Sequence, residues 1–485
     1  MRRPNVTSPA HCSFASVAAA VQFRPMPSRR IILGLLLLFV PSVLQAAGQL
    51  VSGPMLGYQA HREVFLWVET RDAQTVALKY WPAGQPTQVQ QLTNPQLQVT
   101  PAGGQITHFR PGLLEMGVAY EYELLIDGEK QVLPFPARFN TKPQWEWRTP
   151  PPDFKFLVGS CAYFNDPPYD RPGKPYGKTV EAFRLAGESG ADFMVWLGDN
   201  WYWREADFDS ISGLWYRTSH DRAVPEMRKL LGTMHHYAIW DDHDYGPNDS
   251  DWSFEFKEEA LKIFQAYWGN PSYGEKSHPG AYTKFYWGDA VFILMDNHYY
   301  RDSATLDQDK YPGKSQWGRR QLDWLKQSLL QAKVLKHYTF KFIATGNQML
   351  QTDPKGEPHE LYRREREELI SFIREQDITG VVFLTGDVHH TGLYRRQLGD
   401  GGPWIYEITS SPLSSASWAV ESSSAANDPH VIKETLVGDQ NFVTVAVGGE
   451  GADRALTVTC TDKQGATRFK QIIKATELGY VPPAG

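Results

Sequence analysis

Six short apolar runs, each closed by a polar cluster, constrain this chain more than any other feature. Residues 154–158 lead into Gly159-Ser160-Cys161, 193–197 into Gly198-Asp199-Asn200, and 237–240 into Asp241-Asp242-His243-Asp244. Residues 291–295 lead into Asp296-Asn297-His298, 340–344 into Thr345-Gly346-Asn347-Gln348, and 381–384 into Thr385-Gly386-Asp387-Val388-His389-His390. Continuous apolar runs of this length suit strands buried on both faces. Residues 316–332 and 363–375 carry helical periodicity between them. The pattern predicts an α/β fold, in which ligands gather beyond the carboxyl ends of strands. Six polar clusters at six strand ends therefore predict one shared site.

Upstream the pattern differs. From about Gly48 to Arg148 the chain reads as all-β, with strands at 63–69, 75–80 and 119–126 and a hairpin turn at Asp127-Gly128. The turn and Tyr-x-Tyr strand over 113–122 are of the kind seen in fibronectin type III-like sandwiches. The run Thr149-Pro150-Pro151-Pro152 breaks the chain, and the domain boundary is placed there. This divides the chain into a leader (1–47), a β-sandwich domain (48–148) and a catalytic domain (153–480). Past Gly401, residues 442–447 and 455–460 are again strands, whereas the Ser/Ala-rich pieces 410–417 and 422–426 read as loop.

The leader has the marks of an export signal. Arg29-Arg30 precedes an apolar run of ten residues, 31–40, and then Pro41, Gln45, Ala46 and Ala47. That run is too short to span a bilayer, which takes about 20 residues. No cysteine stands at the expected cut, so no stable membrane anchor is expected and the location is extracytoplasmic, periplasmic or secreted. Ser28-Arg29-Arg30 suits twin-arginine export, and the leucine-rich run suits the general route equally. Hydrophobic residues at 41% exclude a disordered or collagen-like chain. The net charge of −6, without a polybasic tract, argues against a non-specific nucleic-acid binder, and no nucleic acid is expected as a sequence-specific partner. Three cysteines, Cys12, Cys161 and Cys460, cannot build a disulfide framework. The sequence carries no signal for oligomeric state.

Taken singly, the cluster residues have ordinary readings. Cys161 could be a small buried hydrophobe, Asp199 a turn or cap residue, Tyr202 a packing residue, Asn347 a strand cap, and Asp296 and His298 structural. Jointly they are metal-ligand types placed after successive strands. The ordered series Gly-Ser-Cys, Gly-Asp-Asn-Trp-Tyr, Trp-Asp-Asp-His-Asp, Gly-Asn-Gln and Gly-Asp-Val-His-His resembles the PhoD-type alkaline phosphatases, a branch of the calcineurin-like metallophosphoesterases. The resemblance runs from about Gly48 to the C-terminus. It implies a two-sheet metallophosphoesterase α/β sandwich preceded by a small all-β, fibronectin type III-like domain.

The resemblance also implies roles. Cys161, Asp199, Tyr202 and His389 would hold one metal, with Asp199 bridging to a second. Thiolate and phenolate are anionic donors that suit Fe(III). Asp242, Asn347, Asp387 and Asp199 would form an oxygen-rich second site suited to Ca(II), with Mn(II) or Mg(II) as alternatives. Asn248 reads equally as a ligand or a loop residue. His243 matches the family's catalytic histidine and would protonate the leaving alkoxide; His298 and His390 are the next candidates. The implied function is an exported, metal-dependent hydrolase of phosphate esters, diester or monoester. Loops 162–178 and 203–216 would set the substrate. A non-catalytic secreted binding protein on the same scaffold is the alternative, and the complete ligand set argues against it.

Overall fold

The computed structural model describes residues 47–94, 97–335, 337–355, 358–420 and 424–482. The leader read at 1–47 lies, but for Ala47, outside the described residues, as do Cys12 and part of the loop at 422–426.

Two large sheets face each other. One has ten strands in the order Thr467–Lys474, Ala455–Asp462, Asn441–Gly448, Phe154–Gly159, Phe193–Leu197, His235–Ile239, Gln49–Gln59, Val64–Arg71, Gln105–Phe109, Gln98–Val99. The other has seven, in the order Thr283–Trp287, Ala290–Leu294, Phe340–Ala344, Val381–Thr385, Trp404–Thr409, Thr391–Gln397, Val431–Val437. Three of the six anticipated runs lie in each sheet. Within a sheet they pair in parallel, as Phe193↔His235 and Phe342↔Val382 do. Their inner faces meet in an aromatic layer. Phe156 stacks on Phe193 at 5.2 Å and meets Phe292 and Phe342 of the opposite sheet edge-on, each at 5.1 Å. Such edge-to-face pairs are favourable beyond their buried area.

Helices cover the outer faces. Phe183, Leu230 and Phe264 pack with Met194 and Trp196 on one side, and Leu325, Leu329, Leu369 and Ile373 pack with Ile293, Ile343 and Phe383 on the other. Strands covered on both faces explain why these runs are continuously apolar rather than alternating. The helix Arg363–Glu375 spans the residues expected, and Gly318–Leu335 starts two residues late because Gly318 adopts φ +71°. Among the described residues no helix is long and apolar enough to cross a membrane.

The segment 49–140 contains only strands among its described regular elements. The hairpin turn at Asp127-Gly128 is present, with φ +50° and +85° and Ile126 paired to Glu129. The Pro-rich break in the chain has no counterpart in the sheet. Gln49–Gln59 pairs in parallel with His235–Ile239, at Leu56↔His235, so this segment supplies four strands of the ten-stranded sheet. Its remaining strands, among them Val76–Pro82 and Ala119–Ile126, form a second leaf. Leu66, Val68, Leu78, Leu124 and Ile126 fill the space between the two leaves.

Candidate metal centre

The loops at the carboxyl ends of the central strands converge. Cys161 follows Phe154–Gly159, Asp199 follows Phe193–Leu197, and Asp387 and His389 follow Val381–Thr385. All four have positive φ, at +60°, +52°, +67° and +55°. Left-handed backbone at a non-glycine residue costs on the order of 1–3 kcal/mol and concentrates at functional sites. Close packing of the loops holds it. A Cβ on Gly198 would meet Asp241 Cβ at 2.4 Å, and one on Gly346 would meet Asp241 Cγ at 2.3 Å. Glycine is therefore required before both Asp199 and Asn347.

Two groups of ligand atoms result, Cys161 with Asp199 and His389, and Asp199 with Asp242 and His243, each within 4.8 Å of one another. Asp199 is common to both. Cys161 Sγ lies 3.6 Å from Asp199 Oδ2 and 3.5 Å from the Asp387 carbonyl. Tyr202 Oη donates to Asp199 Oδ2 at 2.7 Å. The His243 backbone N–H donates to Asp199 Oδ1 at 3.3 Å and to Asp242 Oδ1 at 2.8 Å. Asp249 N–H holds Asp242 Oδ2 at 2.9 Å. The His243 ring packs on Tyr202 at 4.3 Å and is a quarter exposed, whereas the other side chains of the two groups are nearly covered.

His389 is oriented from behind. Its Nδ1 bonds the Ala416 carbonyl and lies 3.5 Å from Ser415 Oγ. Nδ1 therefore carries the proton, and the Nε2 lone pair points to the site. Asn347 is fully buried at the end of Phe340–Ala344, and its Oδ1 accepts from Gln316 Nε2 at 2.9 Å.

The electrostatics match the donor chemistry. Burial, then the neighbouring carboxylates, push Asp199 and Asp387 well above the usual range. Burial and then Asp199 do the same to the Cys161 thiol and the Tyr202 phenol. Asp242 runs the other way. Burial would raise it, but the His243 and His298 imidazoles and its hydrogen bonds hold it at about 2. Five acidic side chains thus crowd one buried point, and a multivalent cation among them would relieve their mutual repulsion.

Several cluster residues have structural roles instead. Asp244 accepts from the backbone N–H of Asp199, Asn200 and Asp241, at 3.2, 3.2 and 2.7 Å. Asp241 Oδ1 is held by Asn297 Nδ2 at 2.9 Å and His298 Nε2 at 2.8 Å. Asp296 accepts from Trp240 Nε1 at 2.8 Å. His390 bonds Tyr394 Oη at 3.0 Å. His298 and His390 are thereby committed to partners away from the two ligand groups. Contacts that the sequence did not disclose come from the Ser-rich loop. Ser411 Oγ donates to Cys161 Sγ at 3.1 Å and accepts from His389 N–H at 3.1 Å. Trp418, 58% exposed, stacks on the His389 ring at 5.8 Å.

Beside the site opens a cleft of about 210 Å³. Tyr163, Lys174, Tyr176, Tyr202, His243 and Asn248 are among its lining residues.

Comparisons with known proteins bear on the family and the fold. Alkaline phosphatase D of Bacillus subtilis (strain 168) is 27% identical over 204 residues, 36% of this chain and 34% of that protein, so the chain spans about a third of its length. A solved structure of PhoD superimposes with a TM-score of 0.68 at 16% identity, covering 87% of this chain and 91% of that one. A purple acid phosphatase from yellow lupin (Lupinus luteus) seeds gives 0.62 at 11% identity, covering 88% and 75%. At such identities these two structures share the fold. The model of the PhoD-like phosphatase family matches residues 156–452. That match takes in more than half of the chain and every strand end that carries the site, and the chain belongs to the PhoD-like phosphatase family.

Proposed function

We propose that the protein is an exported hydrolase of phosphate esters, acting on diesters, monoesters or both. The observation that carries this reading is the shared position of Asp199, which belongs to two separate groups of ligand-type side chains. Cys161, Asp199, Tyr202 and His389 would hold Fe(III), since thiolate and phenolate are anionic donors that suit a trivalent ion. Asp199, Asp242, Asn347 and Asp387 would hold Ca(II), with Mn(II) or Mg(II) as alternatives for an oxygen-rich set. Bound cations supply charge for the phosphate oxygens and lower the pKa of water at the site.

The chain's own residues do the rest. Among the described members of the two ligand groups, His243 is the ring that is both partly exposed and part of the cleft wall. It can reach the leaving oxygen of an ester in that cleft and donate a proton to it. The Tyr202 ring packs against His243 with centroids 4.3 Å apart, close enough to limit its rotation. Buried Tyr202 and Trp203 line the cleft and keep bulk water from its floor. Residues 48–148 act in this reading as a scaffold that extends the catalytic sheet, and none of them supplies a ligand.

The test is hydrolysis of bis(p-nitrophenyl) phosphate and p-nitrophenyl phosphate, with and without chelator, alongside elemental analysis. Chelator-sensitive turnover with iron and a hard cation present supports the reading. Absence of turnover in metal-replete protein would favour a non-catalytic binding protein on this scaffold.

A further inference from the structure

Loop 162–178 delivers a second tyrosine to the site that the ligand groups leave unused. Tyr176 is half-buried, its ring 4.8 Å from Tyr163 and 6.2 Å from Tyr202, both in T-shaped contact. Its neighbours' hydroxyls are committed. Tyr163 Oη donates to Asp170 Oδ1 at 2.7 Å, and Tyr202 Oη donates to Asp199. Among the described residues the Tyr176 hydroxyl contacts one polar group, His389 Nε2, at 3.4 Å.

That contact is conditional. Nε2 is the nitrogen His389 has free, because Nδ1 is held by the Ala416 carbonyl. A cation drawing on the Nε2 lone pair removes the acceptor from Tyr176. The phenol then keeps its place, fixed by ring packing on both sides, but needs a new acceptor. It borders the same cleft as His243, and both rings contact the Tyr202 ring.

We propose that Tyr176 is a substrate-contacting residue, donating its phenolic proton in a hydrogen bond to a non-bridging oxygen of the phosphoryl group. His243 would then serve the leaving oxygen and Tyr176 the phosphoryl oxygens. A donor preset at the place where charge builds is the kind of group whose loss lowers turnover more than binding.

The inference rests on the phosphoesterase reading, and Tyr176→Phe tests it, because phenylalanine keeps the ring packing and deletes only the hydroxyl. In metal-loaded protein the variant should retain wild-type iron and hard-cation content. It should lose roughly 10- to 100-fold in kcat/KM on a phosphodiester, mostly in kcat. Independently of turnover, inorganic phosphate should bind about tenfold more weakly and raise Tm less than in wild type. Unchanged kinetics and phosphate affinity would overturn the proposal and leave Tyr176 as packing. A loss of metal would overturn it too, making Tyr176 a ligand. If wild type turned over no phosphoester, the phosphoesterase reading would fail. The phosphate-binding comparison would still decide whether Tyr176 contacts a phosphoryl group.

Discussion

Ser411 Oγ stands 3.1 Å from Cys161 Sγ and donates to it, so a hydroxyl from a Ser-rich loop supports the sulfur at the centre of the site. The same oxygen accepts the His389 backbone N–H. One side chain therefore links two candidate ligands that are 228 positions apart in sequence.

The first prediction follows from that link. Ser411→Ala removes a donor to the thiolate and an anchor for the His389 loop. Partners of this kind typically matter 10- to 100-fold to metal affinity. Iron retained after dialysis against a graded chelator series should drop accordingly, with little change in the circular dichroism of the fold. Retention equal to wild type would show that the Ser411 contact is incidental.

The second prediction concerns colour. If Tyr202 holds Fe(III) as a phenolate, the purified protein should show a visible charge-transfer band. Tyr202→Phe should lose the tyrosinate part of that band while Cys161, Asp199 and His389 still bind. A colourless wild-type protein that is fully active with zinc alone would remove the iron assignment.

The apolar runs were legible because each strand is sandwiched between a helix layer and the opposite sheet, so burial alone writes the pattern. Thr391–Gln397 and Val431–Val437 lie at one edge of the seven-stranded sheet, carry Arg395, Lys433 and Glu434, and left no such mark. The parallel pairing of Leu56 with His235 was also invisible, since a partner 179 residues away leaves no local signal. At the site, residue type and position after a strand singled out Cys161, Asp199, Asp242 and His389. The positive φ at Cys161, Asp199, Asp387 and His389 could not be read, because it is imposed by loop-on-loop packing and contradicts local preference. Ser411, Tyr176 and Trp418 sit in loops whose composition resembles any exposed loop.

The third prediction is about acid stability. Trp196 Nε1–H donates to His236 Nδ1 at 2.9 Å, and His236 Nε2–H donates to the Leu230 carbonyl at 2.9 Å. Both nitrogens are satisfied only by the neutral ring. Burial accordingly lowers His236 to about 3. Between roughly pH 6.5 and 3 the unfolded chain binds a proton that the folded chain refuses, so stability falls as pH falls. The contribution is fully present above pH 6.5, and by pH 4 about 3 kcal/mol of it should be gone. His236→Gln should be less stable than wild type at pH 7. Its deficit in urea unfolding should shrink toward pH 4. A constant deficit across that window would mean that His236 does not govern the acid limb.

The last prediction separates proton donation from metal holding at His243. Its backbone N–H donates to Asp199 and Asp242, so an alanine keeps those hydrogen bonds and loses only the ring, whose Nε2 lies 4.0 Å from Asp242 Oδ2. The ring borders the cleft beside Tyr202 and is free to meet a leaving oxygen. An alkoxide of high pKa needs its proton in the transition state, whereas p-nitrophenolate leaves almost unaided. General acid catalysis contributes about 10²–10⁴-fold. His243→Ala should therefore lose about that factor on alkyl phosphate esters and much less on p-nitrophenyl esters. Metal content should stay near wild type because Asp199 and Asp242 remain, whereas Cys161→Ala and Asp199→Ala should lose metal and activity together. Equal slowing of both ester types with metal retained would assign His243 to binding the phosphoryl group. An emptied site would make its ring a ligand, and with His298 and His390 tied to Asp241 and Tyr394, the proton would then have to come from water in the cleft.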